Sequence, residues 1–454
     1  VHELQWLTLP PAGAVSQAKE LLQTLGAIDE SGNITHEGKA LLKLPTHPRL
    51  AHMLHRAQPH ELALATDIAA LLEERDPLQK EVGADLCLRI DALHKWRRGE
   101  RTIADRYVLE RVDKLAAAWR KIFNISADND TAADHVAGKL LSAVYPERIA
   151  RQVDAGGERY KLSNGRMARL PQHDVLAHAK WIAVAHLDAG SGEGKVFLAA
   201  PVHESDLLPL SREYENIVWD DVRGMVAGSL ETRVGNLLLH SKPLTHIADE
   251  KRIALLCDVI KRDGLKTLNW QDNHEAWQAR VLSLRQWRAD EPWPDVHDAH
   301  LRDTVATWLA PYLLTANKKA DLQRLDLFNI LQGILPWPLA EKLNTHAPQT
   351  IQVPSGSHIT VQYYADGRPP FMEVRLQEVF GLLQTPTVNE GRIKITMHLL
   401  SPGYKPVQVT QDLKSFWQNA YHDVRKELRM RYPKHSWPEN PIEAQAVRGV
   451  KRKT

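Results

Sequence analysis

The chain has 454 residues, a formal net charge of +2 and a hydrophobic fraction of 43%. This length is too great for one hydrophobic core and predicts roughly three domains of about 100 to 200 residues each. Neither a secretory signal nor a run of about 18 apolar residues is visible, so export and membrane spanning have no support. Cys87 and Cys257 lie far apart in apolar helical patterns. The sequence therefore predicts reduced thiols, a cytoplasmic location and no membrane partner.

Positive charge is concentrated near the C-terminus. Residues 392–454 contain 13 Lys or Arg against five Asp or Glu, while the rest of the chain has 45 against 51. This asymmetry favours a polyanion that docks at one place, although an ordinary solvated surface is the alternative. The first residue is Val, and the apolar pattern of His2–Leu9 is typical of a domain interior. We therefore expect the chain to be part of a longer protein.

The segment Leu21–Met53 predicts a helix-turn-helix-like packing unit. An apolar helix face that includes Leu22 and Leu25 ends at Gly26, and a second apolar run ends at Pro45 before another helix begins at Pro48. The segment resembles the winged-helix region that follows the motor in DEAH-box RNA helicases. The matching residues are Leu21, Leu22, Leu25, Gly26, Ala27, Thr35, Gly38, Leu44, Pro45, His47, Pro48, Arg49, Leu50, Ala51, Met53 and Leu54.

Four amphipathic helices are predicted next, at Glu61–Arg75, Asp85–Trp96, Thr102–Phe123 and Ala132–Tyr145. Their periodicity alone indicates a helical bundle. The resemblance to DEAH-box helicases implies a ratchet-like domain at this position, which lies beside the RNA that leaves the motor.

A change to short alternating strands begins at Tyr145-Pro146-Glu147-Arg148-Ile149-Ala150. Asn164-Gly165 predicts a two-residue hairpin turn, which would place Tyr160 opposite Arg169. Further strands are predicted at Trp181–Leu187, Val196–Pro201, Ile217–Val226 and Arg233–His240.

These strands favour a small barrel, and in the helicase family an OB-fold-like domain is introduced by a similar Tyr-Pro-Glu-Arg-Ile-Ala sequence. Such barrels bind single strands with basic and aromatic side chains. The candidate RNA-binding residues in this region are Tyr160, Lys161, Arg166 and Arg169. Plain cross-strand packing is the alternative role for the Tyr160–Arg169 pair.

A helix at Ile247–Asp263 opens a tryptophan-rich helical block, and the spacing of Trp277, Trp287 and Trp308 on apolar stripes favours core positions over base stacking. His346–Ser357 is predicted to be a hinge that few packed contacts cross.

Mixed strands and a helix at Asp412–Arg431 follow the predicted hinge. The stretches PPFMEVRLQEVFG, HLLSP and RYPKH resemble a C-terminal domain peculiar to one bacterial group of DEAH-box helicases. Lys394, Arg425, Lys426 and Arg429 are predicted to be exposed RNA-binding residues here.

The residues of a nucleotide-hydrolysing motor are missing from the sequence. A phosphate-binding loop needs Gly-x4-Gly-Lys-Ser/Thr, and the segments at Gly38-Lys39, Gly138-Lys139 and Gly194-Lys195 lack the hydroxyl residue. The histidines do not have metal-site spacing either. We therefore expect no catalytic residue, metal or cofactor in this chain. The resemblance implies ATP and Mg²⁺ in the motor domains of a parent protein.

Together these patterns predict a multidomain α+β protein. The predicted divisions are a winged-helix segment (1–48), a helical ratchet-like domain (49–144), an OB-like small β-barrel (145–245), a tryptophan-rich helical block (246–345) and a mixed α/β C-terminal domain (346–454).

The resemblance implies an accessory region that guides single-stranded RNA, or another nucleic acid, for an ATP-dependent DEAH-box motor. The chain alone should be inactive as an ATPase. The alternative is a non-catalytic module that recruits a protein partner, for example through the C-terminal domain.

Overall fold

A computed structural model describes residues 8–130, 134–188, 190 and 192–449, with the backbone alone for Lys80. The chain forms two compact units. The first runs to Asn216 and includes Ser229–Leu244, and the second comprises Ile217–Gly228 and the chain from Thr245 onward. Both helices and strands occur in each unit, so the α+β class is confirmed. The five-part division into domains stays a prediction.

The helices are α1 (Ala12–Thr24), α2 (His36–Leu41), α3 (Pro48–Arg56), α4 (Leu62–Glu73), α5 (Leu86–Arg97), α6 (Arg106–Phe123), α7 (Asp134–Val144), α8 (Glu204–Leu207), α9 (Asp249–Asp263), α10 (Asp272–Trp287), α11 (Asp298–Asp303), α12 (Val305–Trp308), α13 (Lys319–Leu322), α14 (Leu327–Gln332), α15 (Trp337–His346), α16 (Leu413–Ser415) and α17 (Tyr421–Arg431).

The strands are β1 (Ile149–Gln152), β2 (Arg159–Leu162), β3 (Met167–Arg169), β4 (Trp181–Leu187), β5 (Gly194–Pro201), β6 (Arg212–Asp220), β7 (Met225–Val234), β8 (Leu237–Pro243), β9 (Thr350–Gln352), β10 (His358–Gln362), β11 (Phe371–Arg375), β12 (Thr387–Val388), β13 (Ile393–Lys394), β14 (Thr396–Leu400) and β15 (Pro406–Thr410).

The N-terminal packing unit consists of α1, α2 and α3. α1 ends just before Gly26, whose φ of 67° is readily adopted by glycine. The Thr35 hydroxyl caps α2 by accepting a hydrogen bond from the Gly38 amide at 3.0 Å. A side chain at Gly38 would collide with the Ala27 carbonyl oxygen, 2.1 Å from the position of a Cβ. The predicted helix–turn–helix arrangement is confirmed.

The predicted bundle forms from α4 to α7, with helix ends within a few residues of the expected positions. Residues 132 and 133 of the last prediction lie outside the described residues. Asp67 is buried inside this bundle and accepts hydrogen bonds from Arg97 and Arg120. His94 lies 3.1 Å from the same carboxylate. These charges are paired, as buried ionic groups must be.

The barrel is closed, and its strand order is β1-β2-β3-β5-β4. Its interior contains Tyr160, Leu162, Ile182 and Val184, which are fully buried. The predicted two-residue turn is wrong, because Leu162 bonds to Arg166 across a three-residue loop. Ser163 is held in this loop by its hydroxyl, which donates to the Pro146 carbonyl at 2.6 Å. Tyr160 therefore lies opposite Ala168, and Arg159 lies opposite Arg169.

A three-stranded sheet of order β6-β7-β8 follows the barrel. The strands predicted at Ile217–Val226 and Arg233–His240 are wrong in their limits, because each spans a turn between two real strands. One of these turns contains Gly224 and the other Gly235, and both glycines have positive φ. Apolar and β-branched residues on both sides of each turn produce a strand pattern that continues through it.

The second unit has two hydrophobic clusters. Helices α9 to α15 build the first, in which Trp277 is buried as predicted, while Trp287 and Trp308 are half-buried and pack against it. Contacts within this unit cross the predicted hinge at His346–Ser357, contrary to the expectation that few would do so. The Arg280 guanidinium donates to the Ala347 carbonyl at 2.6 Å, and the Trp287 indole donates to the Gly367 carbonyl at the same distance.

The second cluster lies under a five-stranded sheet of order β15-β14-β11-β10-β9. Strands β11 and β14 are parallel, with Met372 beside Met397. The predicted helix at Asp412–Arg431 is divided into α16, a π-helical stretch at Phe416–Ala420, and α17. Phe416, Trp417 and Tyr421 are buried against this sheet.

Among the described residues, no helix has the length and apolar character needed to cross a membrane. Both cysteines are free, Cys87 half-buried and Cys257 buried. Burial raises the pKa of each thiol, which keeps both protonated near neutral pH.

Candidate nucleic-acid interface

The outer side of β2, β3 and β5 is the basic surface with the clearest geometry. Arg159 and Lys161 alternate with the buried residues of β2, so both point outward. Arg169 lies beside Arg159 on one side and beside Lys195 on the other. We call this surface the barrel face and define it by its exposed members, Arg159, Lys161, Arg166, Arg169, Lys195 and Phe197.

Glu193 joins two arginines of the barrel face. Its carboxylate accepts hydrogen bonds from Arg159 at 2.9 Å and from Arg169 at 3.1 Å. The hydrogen bond from Arg159, together with the charge of both arginines, holds the pKa of Glu193 below its usual range. The carboxylate is therefore ionised at neutral pH, and it offsets part of the positive charge while it aligns the two guanidinium groups.

The barrel face includes three of the four residues predicted in this region. Lys161, Arg166 and Arg169 are exposed, and the Arg166 guanidinium donates to the Gly190 carbonyl at 2.8 Å. Together with Arg159, Arg166 and Arg169 line a shallow hollow of about 490 Å³. An anion in this hollow would meet side chains from β2, from β3 and from the loop that joins them.

Tyr160, the fourth predicted residue, does not reach this surface and has no ring face available for a base. It is fully buried, and its hydroxyl donates toward the Leu176 and Ala179 carbonyls, at 2.9 and 2.7 Å. Burial raises its pKa to about 12. Tyr160 is buried because it shares its side of β2 with Leu162, and the longer loop places Ala168 opposite it instead of Arg169.

Sequence reasoning missed Arg159, Lys195 and Phe197. Each occupies an outward position of its strand, and Phe197 is 44% exposed. The alternation of Lys195, Val196 and Phe197 was a usable signal for β5. The parallel pairing that brings Lys195 beside Arg169 could not be predicted from this alternation, because 24 residues lie between Arg169 and Gly194.

The barrel face continues into a cavity of about 1110 Å³ within the first unit. Lys195 and Phe197 form part of its wall, and the loop before α6 contributes Ile103, which is 82% exposed. The lining also includes both cations and carboxylates, among them Arg75, Arg89, Asp76, Glu81 and Asp105. The volume is large enough for a drug-sized molecule or a few unpaired nucleotides.

The C-terminal basic residues do not form one surface. Lys426 and Arg429 are exposed on α17 and line a shallow hollow with Met430 and Pro433. Arg425 instead turns toward the following loop, where it donates to the Trp437 carbonyl at 3.0 Å and to Glu439 at 3.1 Å. Its side chain is only 17% exposed, so the prediction of an exposed Arg425 is wrong.

Lys394 is exposed on β13 and is not among the residues of the α17 hollow.

The same unit carries a row of stacked groups that no sequence pattern indicates. The Arg368 guanidinium lies 3.8 Å from the Tyr364 ring, Tyr364 is 5.5 Å from Phe371, and Phe371 is 4.7 Å from His398. Alternating positions on β11 and β14 place Phe371 and His398 on the side of the sheet opposite the buried Met372. Aromatic groups on an open sheet face are a common platform for unpaired bases.

Neither Gly38 nor Gly138 offers a phosphate cradle. Gly38 lies inside α2 and Gly138 lies inside α7. The Pro201 carbonyl oxygen is 1.9 Å from the position that a Cβ at Gly138 would occupy, so this glycine serves helix packing. These two glycines are needed for close contact with neighbouring backbone.

Comparison with known proteins gives matches at both ends of the chain. A family described as "ATP-dependent helicase C-terminal" (HrpB_C) matches residues 308–441. A second, "Helicase associated domain (HA2), winged-helix", matches residues 20–46. The ATP-dependent RNA helicase HrpB of Escherichia coli K12 is 31% identical over 458 residues, which cover 99% of this chain and 54% of that protein.

Two solved structures are also similar to the chain. The E. coli DExH-box NTPase HrpB has 31% sequence identity and a TM-score of 0.47, with 98% of this chain and 53% of that chain covered. The E. coli DEAH/RHA helicase HrpB has 30% identity and the same TM-score, with 96% and 53% covered. The chain thus spans about half the length of the relatives it matches.

Proposed function

Because this chain is homologous to the ATP-dependent RNA helicase HrpB along 99% of its own length, we propose that it is the accessory region of such a helicase and that it binds single-stranded RNA on the barrel face. The observation that carries the proposal is the exposed row of cations on β2, β3 and β5, with Phe197 in the wall of the adjoining cavity. Cations that follow a strand contact successive phosphates, while an exposed ring can stack on a base.

The proposed binding is independent of RNA sequence. Lys161 and Arg166 are charged donors without a rigid pocket for a base edge, and contacts to phosphates carry no sequence information. Stacking on Phe197 tolerates every base, since every base has a π face. Such a surface suits a protein that must hold RNA while the strand moves.

In this proposal ATP and Mg²⁺ act elsewhere in the parent protein. The sequence has no Gly-x4-Gly-Lys-Ser/Thr segment, whose amides and hydroxyl would hold the phosphates and the metal. We infer that the motor domains of the parent hydrolyse the nucleotide and that this chain guides the strand.

Recruitment of a protein partner is the second candidate function, and one observation favours it. Trp337, at the start of α15, is 77% exposed, and a large exposed aromatic side chain is typical of a binding hot spot. The two functions differ in their dependence on salt, because phosphate contacts release counterions.

The test of the barrel face is a charge reversal, Lys161→Glu with Arg166→Glu. Binding of a fluorescent uridine oligomer is measured by anisotropy across a salt series. We expect weaker binding, and a log–log salt slope that flattens by about 0.7 for each phosphate that the variant no longer binds. The matched control is Lys19→Glu with Lys43→Glu, which makes the same charge change at exposed positions in the same unit.

Equal affinity and slope in the two double variants would exclude the barrel face as the binding surface. A uniform decrease in both variants would show that only the overall charge matters. Circular dichroism on each variant separates unfolding from a direct effect on RNA binding.

A further inference from the structure

His135, His203 and Asp206 come together at the junction between α7 and α8. Each offers one ligand atom, and these atoms lie within 4.8 Å of one another. The two imidazole rings are stacked, with centroids 4.2 Å apart and planes 17° from parallel. Up to 71 positions separate the three residues in the sequence, so no short sequence motif contains all of them.

Asp206 provides an independent indication of a missing ligand. Its Oδ2 atom is buried and has no hydrogen-bond partner among the residues that the structure describes. Leaving a buried carboxylate oxygen without a partner is costly, and a cation at this place would remove the cost. The neighbouring Glu204 does not compete for such a cation, because it is held by Lys180 at 2.7 Å and by the Trp181 indole at 2.8 Å.

The backbone holds the three residues in place. Gly138 lies one turn after His135 on α7, on the same side of the helix. Its missing side chain lets α7 contact the backbone of Pro201 and Val202, immediately before His203. Asp206 follows within α8, where its amide donates to the His203 carbonyl at 3.0 Å. Two of the three residues therefore lie on helices, and His203 is the residue that directly precedes α8.

From this geometry we propose that His135, His203 and Asp206 bind one divalent transition-metal ion of the zinc class. Two imidazoles and one carboxylate match the donor set that zinc accepts, whereas Ca²⁺ and Mg²⁺ prefer oxygen ligands. Neighbouring ligand atoms in a tetrahedral site are roughly 3.3 Å apart, so small side-chain rotations close the site. Three protein ligands leave a fourth position for water, which can approach because His203 is exposed.

The bound ion connects the helical bundle to the segment that follows the barrel. Because α7 and α8 belong to different parts of the first unit in sequence, a metal that ligates both stabilises their contact. The proposal is independent of RNA binding, since none of the three ligands belongs to the barrel face.

The test uses the full chain without a histidine tag, stripped of metal with a chelator. Zn²⁺ is titrated by calorimetry, and thermal unfolding is followed with and without Zn²⁺. We expect about one ion per chain and a higher Tm with Zn²⁺. His135→Ala and His203→Gln should each weaken binding by at least about tenfold and abolish the Tm increase.

The matched control is His178→Ala, at an exposed histidine of the same unit outside the cluster. It should bind Zn²⁺ like the parent chain. Equal Zn²⁺ affinity in the His178 and His203 variants would overturn the proposal, as would the absence of stoichiometric binding by the parent chain. Because His203 is exposed, its variant should fold even if the His135 variant does not, and it then tests the proposal alone.

Discussion

Arg159 lies directly opposite Arg169 on neighbouring antiparallel strands of the barrel. Like charges in such a position repel, but Glu193 lies between them in the hydrogen-bond network and accepts from both. The repulsion is therefore offset inside the protein, and the two guanidinium groups are presented side by side.

Replacement of this carboxylate should strengthen RNA binding. In Glu193→Gln both arginines lose an ionic partner and become available to phosphates. We expect tighter binding of a uridine oligomer, with a salt slope steeper by about 0.7 for each new phosphate contact. Anisotropy across a salt series measures both quantities. Glu20→Gln, at an exposed position on α1, is the control for a general charge effect; weaker or unchanged binding in Glu193→Gln would contradict the assignment of this face.

Among the charged residues of the bundle, Asp67 should contribute most to the stability of the fold. Burial alone would raise its pKa, yet hydrogen bonds from His94 and Arg97, with the charges of Arg97 and Arg120, hold the pKa below its usual range. Asp67→Asn removes the buried anion of two largely buried guanidinium groups and leaves them only Asp113, so we expect the free energy of unfolding to fall by about 2 kcal/mol. Urea unfolding at neutral pH measures this free energy. A decrease of less than about 1 kcal/mol would show that the ion pairs of Asp67 contribute little to stability.

The stabilising effect of Asp67 should decrease as the pH falls. Because its folded pKa lies below the ordinary value of 3.8, its contribution is complete above that pH and disappears as the pH falls through the folded value. The difference in unfolding free energy between the parent chain and Asp67→Asn should therefore narrow below pH 3.8. A difference that stays constant into that range would show that the charge of Asp67 is not responsible.

Tyr160 should matter for folding and not for RNA binding. Its hydroxyl has partners in the Leu176 and Ala179 carbonyls and in the Gln152 amide. Tyr160→Phe removes these hydrogen bonds and should cost about 1 to 2 kcal/mol of stability. The affinity for RNA should be unchanged below the unfolding transition. A specific decrease of RNA affinity in a fully folded variant would restore Tyr160 to the binding surface.

Residues within single elements were predictable, whereas pairings between elements were not. Periodicity identified α4 to α7 and β4, because each pattern is local. The pairing of Tyr160 with Arg169 was wrong because the loop has three residues, and Ser163 in this loop bonds to Pro146, which lies outside the hairpin.

The candidate site shows the same limit. Lys161 and Arg169 were found from their strand, but Lys195 joins them through a parallel pairing that no local signal reveals. Arg425 was predicted to be exposed because its helical spacing matches that of Arg429. The later segment around Trp437 and Glu439 returns to cover it, which spacing on one helix cannot show.

This chain should not hydrolyse ATP. A motor of the P-loop type needs a Gly-x4-Gly-Lys-Ser/Thr loop and an acidic box that hold Mg²⁺ and phosphates, and the sequence contains neither. Phosphate release with ATP, Mg²⁺ and RNA should equal that of a buffer control. ATP hydrolysis that co-purifies with the chain through two independent chromatographic steps would contradict this expectation.

Part of the RNA affinity should reside on α17, in Lys426 and Arg429. Both are exposed and line the same hollow, and residues 392–454 carry the excess of positive charge. The carboxylate of Asp423 lies 3.6 Å from Lys426 at the surface, a contact that solvent weakens. Both cations can therefore turn toward a polyanion. Arg425 is excluded from the test, because its hydrogen bond to the Trp437 carbonyl ties it to folding.

The measurement compares Lys426→Glu/Arg429→Glu with Lys266→Glu/Arg324→Glu, which makes the same charge change at exposed positions elsewhere in the second unit. If both cations contact phosphates, the log–log salt slope for a uridine oligomer should flatten by about 1.4, which is 0.7 for each contact. The control should keep its slope. An α17 variant that matches the control in slope and affinity, and is folded by circular dichroism, would assign the C-terminal charge to solvation or to a protein partner and would leave the barrel face as the RNA-binding surface.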